Sequence, residues 1–229
     1  MTDRSTALVV GASRGLGLAL VQEWLERGWR VIATARGRSD PLEALANRFP
    51  GSLAIETVDI NDAGTVRALR ERLSGRRVDV LFINAGIARA IDGSPAGASE
   101  ADFLDMMLTN AFSPVRAVEL LHDLVPPRGT VAIMSSELGS IANATGGWQL
   151  YASSKAALNM LMKGYAAKHP DDGHALLLVA PGWVRTEMGG SDAALSIEDS
   201  IPFVVDMIDA TRGRPGLRYV DRFNQSLPW

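Results

Sequence analysis

The sequence predicts an α/β fold with a doubly wound, parallel sheet of about seven strands. Short apolar runs of strand length alternate with amphipathic stretches of helical length along the whole 229-residue chain, which is typical of a parallel sheet covered by helices on both faces. A glycine-rich turn directly follows the first apolar run. No linker, repeat or low-complexity segment interrupts this order. Because the length suits one domain, we expect residues 1–229 to form a single domain.

The first half of the chain alternates four predicted strands with three predicted helices. The strands are expected at residues 7–10, 30–35, 53–58 and 78–83. The first helix runs from about Leu16 to Arg27, and Gly28 is a typical stop. Pro41 favours the first turn of the second helix, and Asp62 is a typical N-cap for the third.

A long helix is predicted at the start of the second half, over about residues 99–125. It begins at Ser99, and Asp102 completes a capping pattern three residues later. Pro114 lies within this helix and should kink or break it, because proline lacks a backbone donor.

The remaining strands are expected at residues 130–135, 175–180 and 217–220. A long loop over residues 136–150 leads to a helix over residues 151–168. Ser196 with Asp199 is expected to cap the last helix.

The glycine-rich turn has the sequence Gly11-Ala12-Ser13-Arg14-Gly15-Leu16-Gly17. A strand that runs through glycines into a helix brings backbone N–H groups and the positive end of the helix dipole close to a pyrophosphate. Such a turn can also serve only the close packing of strand and helix. Together with the residues described next, it predicts a dinucleotide-binding domain of the Rossmann type.

Tyr151 and Lys155 stand four residues apart at the start of a predicted helix. Residues at this spacing share one helix face, so the ammonium group can favour ionisation of the phenol. A free phenol has a pKa of about 10, and we expect Lys155 and a positively charged nicotinamide to lower that value. The alternative is an aromatic residue that packs on the core. With the glycine turn, the pair favours hydride transfer in which a tyrosine moves the proton.

Composition excludes several classes of function. The chain has 47% hydrophobic and 21% charged residues and a net charge of −3, which gives no basic surface for nucleic acid. It contains no Cys, which excludes disulfides, thiolate–zinc sites and cysteine nucleophiles. The apolar runs are too short to span a membrane, and we expect no signal peptide, because residues 1–4 lead straight into the first predicted strand. We therefore expect a cytoplasmic protein without a membrane partner.

The three histidines, His122, His169 and His174, are scattered along the chain. Their spacing matches no metal-ligand motif. We therefore expect no metal site and no histidine-based triad.

These motifs closely resemble those of the short-chain dehydrogenase/reductase family over essentially the whole chain. The shared positions are the glycine turn, Asp59, Asn84-Ala85-Gly86, Asn110, Ser136, Tyr151, Lys155 and Pro181-Gly182. Residues 135–141 and the segment Leu227-Pro228-Trp229 further resemble the branch that holds sniffer-type carbonyl reductases and C-factor-like proteins.

Two features depart from the family pattern. Val10 stands where the family commonly has Thr, whose hydroxyl helps to brace the turn. The gap between Ser136 and Tyr151 is longer than in most relatives. Ser135 or Ser140 could therefore take the place of Ser136, although its position at the end of the strand favours Ser136.

The resemblance implies a catalytic set of Asn110, Ser136, Tyr151 and Lys155. In carbonyl reduction, Tyr151 would donate its proton to the substrate oxygen, and Ser136 would hydrogen-bond that oxygen. Lys155 would also hold the nicotinamide ribose. Asn110 would hold a water that links Lys155 to solvent.

Charge at the end of the second strand predicts the cofactor. NAD-specific dinucleotide folds place an acidic residue there for the ribose 2′-hydroxyl, whereas this chain has Thr34-Ala35-Arg36-Gly37-Arg38. Arg36 and Arg14 could converge on a 2′-phosphate, for which guanidinium groups are well shaped, or both could be solvated surface residues. We expect NADP(H) in preference to NAD(H).

The resemblance implies further cofactor contacts. Asp59 would accept from the adenine amino group beside the Ile60 backbone, and Thr186 would bind the nicotinamide carboxamide. The complete predicted cofactor set is Gly11, Ser13, Arg14, Gly15, Leu16, Gly17, Arg36, Asp59, Ile60, Asn84, Ala85, Gly86, Tyr151, Lys155, Pro181, Gly182, Val184 and Thr186.

The substrate side is expected to be apolar. The candidate lining residues, which could equally be core or lid packing, are Leu138, Trp148, Trp183 and Met188. Such walls suit a small carbonyl compound or alcohol.

Association into a homodimer or tetramer is expected through the helices over residues 110–125 and 151–168. The second helix has more apolar residues than one buried stripe needs, namely Leu158, Leu161, Met162 and Tyr165.

The leading interpretation is an NADPH-dependent carbonyl reductase or alcohol dehydrogenase. The first alternative is an NADP(H)-binding regulatory or signalling protein of the C-factor type with vestigial catalysis. Such a protein needs only the glycine turn and Arg36, so the intact catalytic set favours the reductase. The second alternative is a sugar-nucleotide epimerase or dehydratase, which usually carries a larger substrate region than the stretch after Thr186.

Overall fold

Seven parallel strands form one sheet in the computed structural model, which describes residues 4–89 and 93–229. The prediction that no signal peptide precedes the first strand rests partly on residues 1–3, which lie outside these ranges. The strands are β1 (Thr6–Val10), β2 (Arg30–Ala35), β3 (Leu53–Thr57), β4 (Val80–Ile83), β5 (Thr130–Met134), β6 (Ala175–Ala180) and β7 (Gly216–Asp221). Their order is β3-β2-β1-β4-β5-β6-β7, with parallel pairing throughout. The predicted fold class is confirmed.

Seven α-helices cover the two faces of this sheet in the described ranges. They are α1 (Gly15–Glu26), α2 (Asp40–Arg48), α3 (Ala63–Arg72), α4 (Glu100–Met107), α5 (Ser113–Leu121), α6 (Gln149–Lys168) and α7 (Ile201–Thr211). The predicted caps of two helices are confirmed: Asp62 accepts from Gly64 N at 2.7 Å, and Ser99 accepts from Asp102 N at 3.1 Å.

Alternate residues of each central strand enter opposite cores, as the two-residue period of a strand requires. Leu8 and Leu81 face one core, which α3, α5 and α6 cover. Val9 and Phe82 face the other, which α1, α2 and α7 cover and in which Trp24 is fully buried. Because both faces of the sheet are covered, polar chemistry is confined to its edges.

The long helix predicted over residues 99–125 is interrupted, and the expected break at Pro114 is confirmed. α4 ends at Met107, a π-helical turn follows over Leu108–Phe112, and Pro114 lies in the first turn of α5. A first-turn position suits proline, since the missing N–H would have no intrahelical acceptor there.

The start predicted for the last helix is wrong. Ser196 and Asp199 do form the reciprocal capping bonds, at 3.0 Å from Ser196 N to Asp199 Oδ2 and 3.2 Å from Asp199 N to Ser196 Oγ. These bonds close only a single turn, and α7 begins at Ile201 after Ser200 as its N-cap. The Ser200 hydroxyl donates instead to the Pro181 oxygen at 2.8 Å, which ties the helix start to the end of β6.

No helix in the described ranges combines the length and the apolarity that crossing a membrane requires.

Candidate active site

The glycine turn is held rigidly between β1, β2 and β4. Gly11 has φ +87°, and a Cβ there would lie 2.7 Å from Ala85 Cα, so only glycine fits. The Gly11 N–H donates to Thr34 Oγ1 at 3.1 Å, and its carbonyl accepts from Asn84 Nδ2 at 2.8 Å. Asn84 and Ala85 thus form the floor of the turn.

Close packing of α1 on the turn brings the helix N-terminus to the carboxyl edge of the sheet. A Cβ at Gly17 would lie 2.2 Å from the Gly11 oxygen. α1 begins at Gly15 without an acidic residue in its first turn, so its positive dipole end is not neutralised within the helix. Ser13 and Leu16 lie in the same stretch. Glycines that no side chain could replace and an uncompensated helix N-terminus fit a pyrophosphate.

Thr34 is a functional candidate that sequence reasoning missed. Its side chain is 1% exposed and supplies the hydroxyl that Val10 cannot offer to the turn. A polar residue in an otherwise apolar strand was the available signal. The bracing expected from position 10 is supplied by the neighbouring strand.

Arg14 and Arg36, the two residues predicted to bind a 2′-phosphate, line the same open pocket. The pocket has a volume of about 810 Å³ and is lined by Ser13, Arg14, Arg36, Arg38, Ser39, Asp40 and Pro41. Arg36 is exposed and has no ion-pair partner in the described part of the chain. Arg38 is engaged with Asp40 at 2.9 Å. Arg36 is therefore the cation of this pocket that is available to a phosphate.

Arg14 forms an ion pair with Glu187 across the edge of the sheet. Both side chains are largely exposed, and pairs of this kind contribute little to stability. An incoming anion could therefore displace Glu187 at small cost.

Asp59 lies directly after β3, where the sequence places the adenine contact. Its carboxylate accepts from Asn61 N at 2.9 Å, and its backbone oxygen accepts from Thr65 Oγ1 at 2.9 Å. The Ile60 oxygen accepts from Arg116 at 3.1 Å. These bonds fix the turn and leave Asp59 half-buried at the same edge as the glycine turn.

Tyr151 and Lys155 occupy the first turns of α6 and face the end of β5. Lys155 is 3% exposed, and its Nζ donates to the Met134 oxygen at 2.8 Å. The Nζ lies 5.7 Å from the centroid of the Tyr151 ring. Burial lowers the pKa of Lys155 to about 8.

In the protein alone, the pKa of Tyr151 moves opposite to our expectation. Burial of the phenol raises its pKa to about 12, and the opposing hydrogen bond with the Ser136 side chain is the smaller effect. The charged nicotinamide that the expectation also invoked is not part of the chain. The phenol therefore keeps its proton at neutral pH in this state.

Ser136 is the serine that reaches Tyr151. It caps the short 3₁₀ turn Glu137–Gly139, and its Oγ accepts from Leu138 N at 3.2 Å. The hydroxyl of Ser135 donates to Asn159 Oδ1 at 2.8 Å, and that of Ser140 accepts from Asn143 N at 3.2 Å. The two alternatives to Ser136 are thus engaged elsewhere.

Tyr219 on β7 is a second residue that sequence reasoning missed. Its hydroxyl donates to the backbone oxygen of Ser136. The ring is 2% exposed and lies 5.5 Å, centroid to centroid, from Trp229. No local motif marks a tyrosine 83 positions away as a neighbour of Ser136.

Asn110 lies in the π-helical turn and is completely buried. Its Oδ1 accepts from Ile87 N at 2.8 Å, and its Nδ2 donates to the Ile87 oxygen at 2.8 Å and to Ser154 Oγ at 3.0 Å. A Cβ at Gly86 would lie 3.3 Å from Asn110 Oδ1 and 3.6 Å from Lys155 Nζ. The asparagine side chain therefore holds the segment after β4 against the lysine.

The segment after β6 folds back on itself at the carboxyl edge. Pro181-Gly182 follows the strand, and Val184 pairs with Leu195 as an isolated parallel bridge. Thr186 Oγ1 accepts from Gly189 N at 3.0 Å. A Cβ at Gly15 would lie 3.9 Å from the Thr186 methyl group, so Thr186 lies beside the glycine turn.

The four candidate substrate residues differ in position. Trp148 lies edge-on to Tyr151, with ring centroids 5.6 Å apart, and Leu138 is half-buried in the turn after Ser136. Trp183 is 52% exposed and Met188 is 42% exposed. The structure brings Trp148 to the tyrosine and leaves Trp183 and Met188 open to solvent.

Comparison with known proteins shows the family of the chain. Residues 5–194 match the family model for short chain dehydrogenase. A Burkholderia multivorans protein of the short-chain dehydrogenase/reductase class, solved with bound NADP, is 51% identical with a TM-score of 0.96, covering 99% of this chain and 100% of that one. The carbonyl reductase Sniffer of D. melanogaster is 27% identical with a TM-score of 0.86, at 99% and 100% coverage. C-signal of Myxococcus xanthus is 33% identical over 170 residues, which are 72% of this chain and 100% of C-signal.

The chain belongs to the short-chain dehydrogenase family. The resemblance to the branch with Sniffer and C-factor-like proteins is confirmed as well.

Proposed function

We propose that this protein is an NADP(H)-dependent oxidoreductase that interconverts a carbonyl compound and an alcohol by hydride transfer, with Tyr151 as general acid and base. The observation that carries the proposal is the convergence of Tyr151, Ser136 and Lys155 at the carboxyl end of β5. Similarity to a carbonyl reductase over nearly the whole chain supports it. Residues 1–229 would act as one domain.

NADP(H) is the proposed cofactor, and the nicotinamide would supply or accept the hydride. The bound NADP of the Burkholderia multivorans relative supports this choice. On this chain, the unpaired Arg36 and the weakly paired Arg14 would bind the 2′-phosphate. The glycine turn and the N-terminus of α1 would hold the pyrophosphate.

The phenol of Tyr151 is protonated at neutral pH, because its pKa is about 12. In the reductive direction it is therefore ready to donate its proton to the substrate oxygen. Ser136, already hydrogen-bonded to the phenol, would share that oxygen and stabilise the charge developing on it. Lys155, with a pKa of about 8, would hold a ribose hydroxyl and support return of the proton. Asn110 would anchor the segment after β4 beside Lys155 and so keep open the path by which a proton reaches the lysine.

Association into a homodimer or tetramer is also proposed, with Leu161 kept from the residues predicted from the sequence and the other three replaced. Leu158, Met162 and Tyr165 are buried in the chain's own core, so they do not form a free face. Exposed apolar side chains on α4, the π-helical turn and α6 are Leu104, Leu108, Phe112, Met160 and Leu161. A second copy of the chain would cover this surface.

The experiment that tests the proposed function is NADPH oxidation with a panel of ketones, aldehydes and quinones. At least one carbonyl compound should be reduced by the native chain. Tyr151→Phe should lose most of this activity, whereas Tyr165→Phe, the same substitution further along α6, should keep it. If no compound is turned over while NADPH still binds, the regulatory alternative replaces the reductase.

A further inference from the structure

Three side chains with metal-binding groups meet at the end of the molecule opposite to the catalytic residues. His122 lies in the 3₁₀ turn after α5, His169 is the C-cap of α6, and Asp172 lies in the turn before β6. One donor atom from each lies within 4.8 Å of the other two. The two imidazole centroids are 5.6 Å apart. All three side chains are half-buried.

The carboxylate of Asp172 has an unsatisfied oxygen in this cluster. Its Oδ2 is inaccessible to solvent and has no hydrogen bond of normal geometry in the described part of the chain. His169 Nδ1 lies 3.3 Å from it, and the hydroxyl of Tyr165 interacts with the same carboxylate. A buried carboxylate oxygen whose neighbours do not donate to it in good geometry is costly. A cation between the carboxylate and the imidazoles would remove that cost.

The hydrogen bond of His122 leaves one of its ring nitrogens free to bind a metal. Its Nδ1 lies 3.1 Å from the Glu119 backbone oxygen. A carbonyl oxygen only accepts, so Nδ1 carries the proton and the other ring nitrogen keeps its lone pair. Metal-binding histidines are commonly fixed in this way by a backbone carbonyl.

We propose that His122, His169 and Asp172 bind one divalent transition-metal ion, and that zinc is the ion they fit best. Two imidazoles and one carboxylate are a usual set of three protein ligands for zinc, with a water in the fourth position. Zinc–ligand bonds of ~2.0–2.2 Å put tetrahedral ligand atoms ~3.4 Å apart. Half-buried side chains whose donor atoms now lie within 4.8 Å can close to that separation by small rotations.

The metal would be structural. His169 lies about 27 Å from Tyr151 along the axis of α6, at ~1.5 Å per residue. The ion would connect the ends of α5 and α6 and so stabilise the folded chain by mass action, without touching the hydride-transfer site. The packing of Tyr165 on His169, with stacked rings 4.3 Å apart, closes one side of the site.

Zinc binding to the metal-stripped, tag-free chain tests the proposal. Equilibrium dialysis should give about one zinc per chain, and Asp172→Asn should weaken binding by at least about tenfold, the lower end expected when a metal site loses a supporting group. Asp171→Asn, the same substitution at the exposed neighbouring position, should bind zinc as the native chain does. Failure of the native chain to take up zinc, or equal binding by both variants, would overturn the proposal.

Three further measurements separate a structural metal site from the catalytic site. Zinc should raise the melting temperature of the native chain and of Asp171→Asn, but not that of His169→Gln or His122→Gln. Cobalt(II) in place of zinc should give the intense visible absorption of a tetrahedral site, which requires no variant to fold. Loss of that absorption signature in the native chain would contradict the site directly, and carbonyl reduction should be the same with and without zinc.

Discussion

Lys155 Nζ donates a hydrogen bond of 2.8 Å to the backbone oxygen of Met134, the last residue of β5. The bond joins the helix that carries Tyr151 to the strand whose end leads into Ser136. It fixes the lysine in a buried position, where its pKa falls to about 8. This one hydrogen bond therefore helps to position Tyr151, Lys155 and Ser136 relative to one another.

Lys155→Met should lower turnover and weaken NADPH binding together, because one ammonium group serves both the proton path and the ribose. The fold should survive, since methionine keeps the apolar stem and removes a buried charge. Steady-state kinetics and a cofactor titration measure the two effects. Lys168→Met, in the last turn of the same helix, is the matched control; a variant at 155 with native kinetics would contradict the role.

Lys155 also predicts a pH dependence of stability. Its pKa is about 8 in the folded chain, below the ordinary value of 10.5, so the unfolded chain binds more protons between these values. The free energy of unfolding should therefore gain from this group as pH rises from about 8 toward 10.5. Urea denaturation at about pH 7.5, just below this window, and at about pH 9.5, inside it, measures the change. The gain should be smaller in Lys155→Met, and an identical gain in both chains would refute the assignment.

Tyr151→Phe keeps the ring and deletes the proton donor. Carbonyl reduction should fall by about 10²–10⁴-fold, the usual contribution of general acid catalysis, while NADPH binding and the melting temperature stay close to native. Single-turnover rates on the best substrate of the panel provide the measurement. Near-native turnover would show that another group supplies the proton.

Arg36→Asp combined with Arg14→Ala should change the cofactor preference. NADPH binding should weaken by ~1.5–3 kcal/mol more than NADH binding, as expected for lost charged hydrogen bonds. Fluorescence titration with each cofactor gives both constants. Arg76→Ala, an exposed arginine outside the pocket, should leave both unchanged, and equal losses for the two cofactors in the double variant would argue against 2′-phosphate recognition.

Tyr219→Phe removes the hydroxyl that holds the Ser136 backbone oxygen. A shift of Ser136 relative to Tyr151 should reduce turnover by up to about 10²-fold, the scale of a small misplacement in an active site. The KM for NADPH should not change, because Tyr219 is not among the proposed cofactor contacts. A proportional change in NADPH affinity would indicate a general loosening of the fold instead.

Met160→Lys should disrupt self-association without harming the monomer. Met160 is 69% exposed on α6, so a charged side chain there meets water in the isolated chain and an apolar partner in a dimer. Light scattering should give a multiple of the chain mass for the native protein and a lower mass for the variant. A native protein that is monomeric at micromolar concentration would end the proposal.

Local patterns were sufficient for most of the fold. Short apolar runs located the seven strands, and short-range capping chemistry located the starts of α3 and α4 at Asp62 and Ser99. The same reasoning failed at Ser196, where the capping bonds form but close an isolated turn. Short-range hydrogen bonds specify a turn, whereas packing on the sheet decides whether a helix continues from it.

The sequence by itself determined the fold class, the glycine turn and the Tyr151–Lys155 pair, because each depends on residues that are neighbours along the chain or one helical turn apart. Only the tertiary structure decided the support from Thr34 and Tyr219, which come from other strands. It also decided the direction of the Tyr151 pKa, which depends on how far folding removes the phenol from water. The tertiary structure also decided that His122 and His169 lie close together. The two residues are far apart in the sequence, and they meet only because α5 and α6 end at the same edge of the sheet.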